Sequence, residues 1–160
     1  MKINSATSAQ IAASDASLST WLTANAGSGK TKVLIDRVAR LLLDGVQPEQ
    51  ILCLTYTKSA AAEMKNRLFD RLGKWAMLAD QELNLSLFET GIQRQLSINE
   101  LKKARTLFAR AIEAPGGLKI QTIHAFCASL LRKFPLEAGI SPQFGAVSYT
   151  HLTLPTNVAV

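Results

Sequence analysis

Apolar residues in this chain fall into two kinds of pattern, and the two alternate. Val33, Leu34, Val38, Leu41 and Leu42 recur at three- to four-residue intervals, which predicts a helix over about 30–43, closed by Asp44-Gly45 with Pro48 beyond. Ile51-Leu-Cys-Leu-Thr-Tyr56 is a short apolar run after a turn and reads as a fully buried strand. From Lys58 a second helix is expected to about Leu72, with Ala61, Met64, Leu68 and Leu72 on one face and Lys65, Arg67, Asp70 and Arg71 on the other. Ahead of the first helix, the β-branched and aromatic run Thr20 to Thr23 marks a strand near 19–24. Late in the chain, Leu118 to Thr122 returns to strand. Ile123, Phe126, Leu130, Leu131 and Phe134 then trace an amphipathic helix that stops before Pro135, with Phe126 expected in the core. Strand, helix, strand, helix implies an α/β fold with a parallel sheet and right-handed crossovers.

Between these parts, residues 74–113 carry no strand pattern. Ser97 and Glu100 form a capping box that opens a helix repeating Leu101, Ala104, Phe108 and Ala111, and Pro115-Gly116-Gly117 ends it. The expected organisation is a first part of the sheet domain at 1–73, a helical insertion at 74–115 and a return to the sheet domain at 116–147. Residues 148–160 contain no charge and read as a non-native tail, so His151 receives no role.

The loop between first strand and first helix carries the most specific chemistry. Ala24-Asn25-Ala26-Gly27-Ser28-Gly29-Lys30-Thr31 has glycines where a Cβ would keep the backbone from wrapping an anion, just where the positive end of a helix begins. In such a loop Lys30 reaches the β and γ phosphates and the Thr31 hydroxyl ligates Mg²⁺. The strict pattern has Gly where this chain has Ala24.

Composition narrows the class. A chain of 160 residues, 48% apolar and 19% charged, is one globular domain of ordinary size. No apolar stretch approaches the roughly 18 residues that span a bilayer. The N-terminus lacks the apolar core of a secretion signal, so a cytoplasmic protein with no membrane association is expected. Cys53 and Cys127 are expected as buried, reduced thiols. The net charge of +6 is unevenly placed: Arg94, Lys102, Lys103, Arg105 and Arg110 face Glu100 alone within 94–110, and Lys119, Arg132 and Lys133 face Glu137 further on. Such a balance suits either a polyanion or a solvated helix face, and does not choose between them.

Four segments in order, Gln10, Ala24 to Thr31, Leu54-Thr-Tyr-Thr-Lys-Ser-Ala-Ala-Ala-Glu-Met64 and Gln121-Thr-Ile-His-Ala-Phe126, resemble the N-terminal motifs of UvrD/Rep-like superfamily 1 DNA helicases. Their wording is most similar to the AddA-type helicase-nuclease subunits of double-strand-break repair. The resemblance implies a RecA-like motor domain that uses ATP and Mg²⁺, with 3′-to-5′ polarity, single- and double-stranded DNA as partners and an AddB-like partner subunit. It implies Gln10 as the adenine reader, Thr55, Tyr56, Thr57 and Lys58 at single-stranded DNA, and Thr122 and His124 at the DNA backbone. Lys58 stands where many relatives have Asn and Ser59 where many have Lys. Tyr56 as a buried strand aromatic and His124 as a structural residue are the alternatives on the residues alone.

Members of that family carry an Asp-Glu-x-Gln-Asp stretch downstream that completes Mg²⁺ coordination and positions the attacking water. No Asp-Glu pair occurs here. The chain is therefore expected to be the front piece of a helicase, with Lys30 and Thr31 as its catalytic contribution and negligible hydrolysis of its own. The other readings are a different UvrD/Rep-type helicase, or a nucleotide- and DNA-binding module without hydrolysis. A phosphate-loop kinase would need an arginine-bearing lid, and the Thr-Tyr-Thr-Lys and Thr-Ile-His segments argue against it.

Overall fold

In the computed structural model the described residues are 5–23, 25 and 27–141, with side chains described from Ser8 onward. Ala24, Ala26 and the neutral segment from Ser148 lie outside them. The elements in order are α1 (Ser5–Ala13), α2 (Lys30–Asp44), a 3-10 turn (Pro48–Gln50), β1 (Leu52–Thr55), α3 (Lys58–Met77), α4 (Asp80–Glu89), α5 (Ile98–Glu113), β2 (Lys119–Thr122) and α6 (Ile123–Lys133).

Helix α2 begins and ends on glycines in the left-handed region. Gly29 caps its start at φ 88°. Gly45 at φ 100° turns the chain out at its end, where the N–H groups of Gly45 and Val46 donate to Leu42 O and Leu41 O. Its buried stripe, Ile35, Val38, Ala39 and Leu42, packs into one core with Leu68, Leu72 and Trp75 of α3 and Leu101, Ala104 and Leu107 of α5. The capping box expected at Ser97 is present: its hydroxyl accepts from Glu100 N–H, while the Glu100 carboxylate accepts from Ser97 N–H at 2.8 Å. Arg94 and these Ser97 donors push the Glu100 carboxyl down to about 2. The segment expected as a helical insertion thus shares its core with α2 and α3.

Strands β1 and β2 pair in parallel, Leu52 opposite Lys119 and Thr55 opposite Thr122, as the alternation of elements predicts. Several other expectations are corrected. Residues 19–23 form no strand, and Trp21 is 93% exposed with its indole N–H donating to the Thr23 hydroxyl. The described sheet has two strands and neither pairs with this segment, so its ladder donors and acceptors have no partner strand to meet. The run at 51–56 is not fully buried. Ile51 is in the core, but Leu52 and Leu54 point to the sheet face that α3 does not cover and are exposed. Helix α3 runs five residues past Leu72, through Gly73, because the fully buried Trp75 anchors its last turns and donates to the Ser86 hydroxyl at 2.8 Å. An interior glycine costs roughly 1 kcal/mol against alanine, and burying a side chain of this size outweighs it. Arg71 leaves the solvated face and pairs with Asp36 of α2. Phe126 is only half-buried, and no residue of α6 is fully buried. Cys53 is half-buried, and burial pushes its thiol above the ordinary value, whereas Cys127 is exposed.

Leu52, Leu54, Ile123, Leu130 and Phe134 therefore present a shared apolar character to solvent. Each side chain of this size contributes about 1.5–3 kcal/mol when it is fully buried. Residues 1–160 in isolation are expected to self-associate or to melt broadly. A monomer at all concentrations in analytical ultracentrifugation, with a sharp reversible melt, is the opposite outcome.

Candidate functional site

The loop that precedes α2 is shaped by its two glycines. Gly27 sits at φ 81° and Gly29 at φ 88°, a region that L side chains rarely adopt. A Cβ built on Gly29 would also lie 2.8 Å from the Gln10 side-chain nitrogen, so a larger residue there would displace the Gln10 amide. Gln10 Nε2 donates to Ser28 O at 3.2 Å, which ties α1 to the loop from the side. Within the loop, the Ser28 hydroxyl and the Lys30 ammonium both donate to Asn25 O at 2.6 Å, so Lys30 folds back across the turn it follows. Thr31 is half-buried in the first turn of α2.

This loop forms one wall of a cleft of about 360 Å³. Gly27, Gly29, Lys30, Thr31 and Lys32 line it on one side, and Glu63 and Arg67 of α3 on the other. Three cations and one anion surround a concave backbone at a helix N-terminus, a donor set that fits a polyphosphate. Among the described residues no group of three or more His, Cys, Asp or Glu is placed to hold a metal ion. Mg²⁺ at the Thr31 hydroxyl would take its remaining ligands from phosphate oxygens, water and acidic groups elsewhere.

One turn beyond the loop, Asp36 is 2% exposed and accepts from Lys32 at 2.7 Å and from Arg71. This buried carboxylate joins α2 to α3. Its sequence signal is an acidic residue inside the apolar stripe of α2, four residues after a lysine. The motifs in the sequence gave it no role, nor any to Glu63 in the cleft, and helical spacing left Arg67 on the solvated face of its helix. Glu63 and Arg67 are one turn apart on α3, but nothing in their spacing reveals that their face meets the loop.

The second pair of expected segments converges at the carboxyl ends of β1 and β2, where open α/β sheets bind ligands. Thr55 and Thr122 are partners across the ladder. The Thr55 hydroxyl donates to Thr57 O at 3.0 Å. Thr57 caps α3 by accepting from Ala60 N–H, and Thr122 caps α6 by accepting from Ala125 N–H, both at 3.1 Å. Lys58, in the first turn of α3, is exposed. Tyr56 is 80% exposed, which removes the buried-aromatic alternative, and its ring meets the exposed His124 edge-on at 6.4 Å between centroids.

Much of the basic stretch at 94–110 is committed within the molecule. Arg94 pairs with Glu100, Arg105 with Asp80 and Leu78 O, and Arg110 with the Gln47 side chain. These contacts describe a laced surface rather than an open polyanion track. Among the described residues no helix is long and apolar enough to cross a membrane.

A glycine-shaped loop at the start of α2 thus stands in one molecule with two neighbouring parallel strands whose carboxyl ends lead into threonine-capped helices beside the exposed Tyr56 and His124. Residues 5–155 match the UvrD/REP helicase N-terminal domain, and the chain belongs to that family. Among curated relatives, the AddA component of the ATP-dependent helicase/nuclease of Lactobacillus acidophilus is 32% identical over 123 residues, 77% of this chain and 8% of the relative. The protein of the same name from Enterococcus faecalis shows the same values, and that from Heliobacterium modesticaldum is 32% identical over 131 residues, 82% of this chain and 8% of the relative. The chain thus spans about 8% of the length of these relatives.

Proposed function

We propose that this chain is the N-terminal ATP- and single-stranded-DNA-binding part of an ATP-dependent 3′-to-5′ DNA helicase, a helicase-nuclease subunit that works in double-strand-break repair beside an AddB-like partner in the cytoplasm. The observation that carries this reading is the pairing of the Gly-Ser-Gly-Lys-Thr loop at the start of α2 with the exposed Tyr56–His124 edge at the ends of β1 and β2, in a chain of the UvrD/REP family. The parallel β1–β2 pair and its flanking helices are compatible with a RecA-like motor domain. The name that the relatives share supports the helicase-nuclease assignment.

In this reading the loop amides and Lys30 hold the β and γ phosphates, Thr31 presents its hydroxyl to Mg²⁺, and Gln10, already anchored to the loop, offers its amide oxygen to the adenine amino group. Bound Mg²⁺ neutralises charge on the phosphates. The Thr57 and Thr122 hydroxyls, which accept in their helix caps, keep a proton to donate to DNA phosphates, and the Thr55 hydroxyl would exchange its bond to Thr57 O for one to phosphate. Lys58 adds charge, and Tyr56 supplies a stacking face. Turnover needs an acidic pair that this sequence lacks, so binding is assigned to these residues and hydrolysis to the longer polypeptide.

The test is ATP-dependent strand displacement by that polypeptide on tailed duplexes. Displacement from a 3′ tail and not from a 5′ tail is expected, and the reverse preference overturns the polarity. Tyr56→Ala is expected to weaken single-strand binding about ten-fold or more at fixed salt, since one stacked base is worth roughly 1–3 kcal/mol. Tyr56→Phe should be nearly silent in the same fluorescence-anisotropy titration. Equal losses from both changes would move the interaction to the hydroxyl.

A further inference from the structure

Across the cleft from the phosphate loop stand two charged side chains to which neither the family match nor the motifs assign a role, Glu63 and Arg67. They lie one turn apart on α3 and form an ion pair of 2.5 Å, with more than half of each side chain open to solvent. We infer that Arg67 is a phosphate-binding residue of the nucleotide cleft, held beside it by Glu63 until a polyphosphate takes the carboxylate's place. The inference rests on the reading of the loop as a nucleotide site.

Three observations carry it. The first is position: Arg67 and Glu63 are the α3 side chains that close the 360 Å³ cleft whose other wall is the loop and Lys30. The second is the contrast with Arg71, one turn further along the same helix. Arg71 is locked onto a carboxylate that is 2% exposed, and releasing it would leave that charge buried without its partner. Arg67 answers no buried group; its one carboxylate partner is as solvated as itself, and such a pair holds weakly. A polyphosphate with several negative charges at the same distance outcompetes a single carboxylate for it. The third is chemistry: a guanidinium presents a planar fork of N–H donors that matches phosphate oxygens, and it approaches from the side opposite Lys30. Both walls of the cleft would then grip the phosphates. Since α3 begins at Thr57 and Lys58, the helix that starts at the DNA edge would carry its own contact to the nucleotide.

The two partners of this ion pair should act with opposite sign. Titrations of the complete polypeptide with a non-hydrolysable ATP analogue and with inorganic tripolyphosphate, each with Mg²⁺, read the effect directly. Arg67→Gln is expected to weaken both ligands about ten-fold, the usual weight of a charge-assisted hydrogen bond, and Arg67→Lys to restore part of it. Glu63→Gln is expected to tighten both about two- to three-fold, with a thermal midpoint unchanged by either substitution. Weakening by Glu63→Gln, or no weakening by Arg67→Gln, overturns the inference, because a residue that merely supports α3 gives the first result and an idle one the second. Lys30→Ala separates the layers. If it leaves analogue and tripolyphosphate binding intact, the nucleotide-site reading itself fails. Loss with Lys30→Ala beside wild-type binding in Arg67→Gln removes only the role of Arg67.

Discussion

Lys30→Ala should abolish ATP-driven strand separation by the complete polypeptide while leaving its circular dichroism spectrum and melting behaviour intact. The ammonium is exposed and donates to the Asn25 carbonyl of its own loop, so removing it opens no cavity in the core. What is lost is the positive charge beside the phosphates, where the transferring group accumulates negative charge in the transition state. Removing one such preorganised donor commonly costs on the order of 10²–10³ in rate. Unwinding at the wild-type rate in this variant sinks the assignment of the loop. Thr31→Ala should act through Mg²⁺ instead, so raised magnesium is expected to recover part of its activity, which Lys30→Ala should not show.

The second large effect falls on stability. Asp36 is buried and holds both Lys32 of its own helix and Arg71 of α3. Asp36→Ala removes the buried anion that Lys32 and Arg71 share at the seam between α2 and α3, leaving Glu89 as the carboxylate near both cations. Breaking a buried pair by removing one partner costs about 3–5 kcal/mol, and the exposure of Lys32 places the expected loss near the lower end. With a urea dependence of roughly 1–3 kcal/mol per molar for small domains, the unfolding midpoint should fall by about 1–2 M. Replacing both sides, Asp36→Leu with Arg71→Met, should recover most of the loss, because no buried charge is left unmatched. A double variant no more stable than Asp36→Ala would show that the loss comes from packing rather than from charge.

Helices were the most legible part of this fold. α2, α3, α5 and α6 follow from apolar spacing together with local stop and start signals: Gly45 after α2, the Ser97–Glu100 box before α5, Pro135 beyond α6. These signals are local, since a cap or a left-handed glycine acts within a few residues of itself. Apolar spacing alone placed the end of α3 near Leu72, and the burial of Trp75 carries the helix on to Met77. Strand burial was less legible. An apolar run says that a strand wants two covered faces, and Leu52 and Leu54 show that only the other face has a helix on it.

The sequence by itself determined the glycine turn before α2, the strands near 51–56 and at 118–122 and their parallel order, because each depends on residue types at short separations. The tertiary structure alone decided which side chains meet. It placed Tyr56 against His124, from distant parts of the chain, because β1 and β2 pair in parallel with Thr55 opposite Thr122. It turned Arg71 inward to Asp36 and left Arg67 facing the loop, although both stand on the same polar side of the α3 pattern. The physical reason is that helical periodicity sets the angle of a side chain about its own axis, whereas the neighbour it meets at that angle is set by how the helices pack.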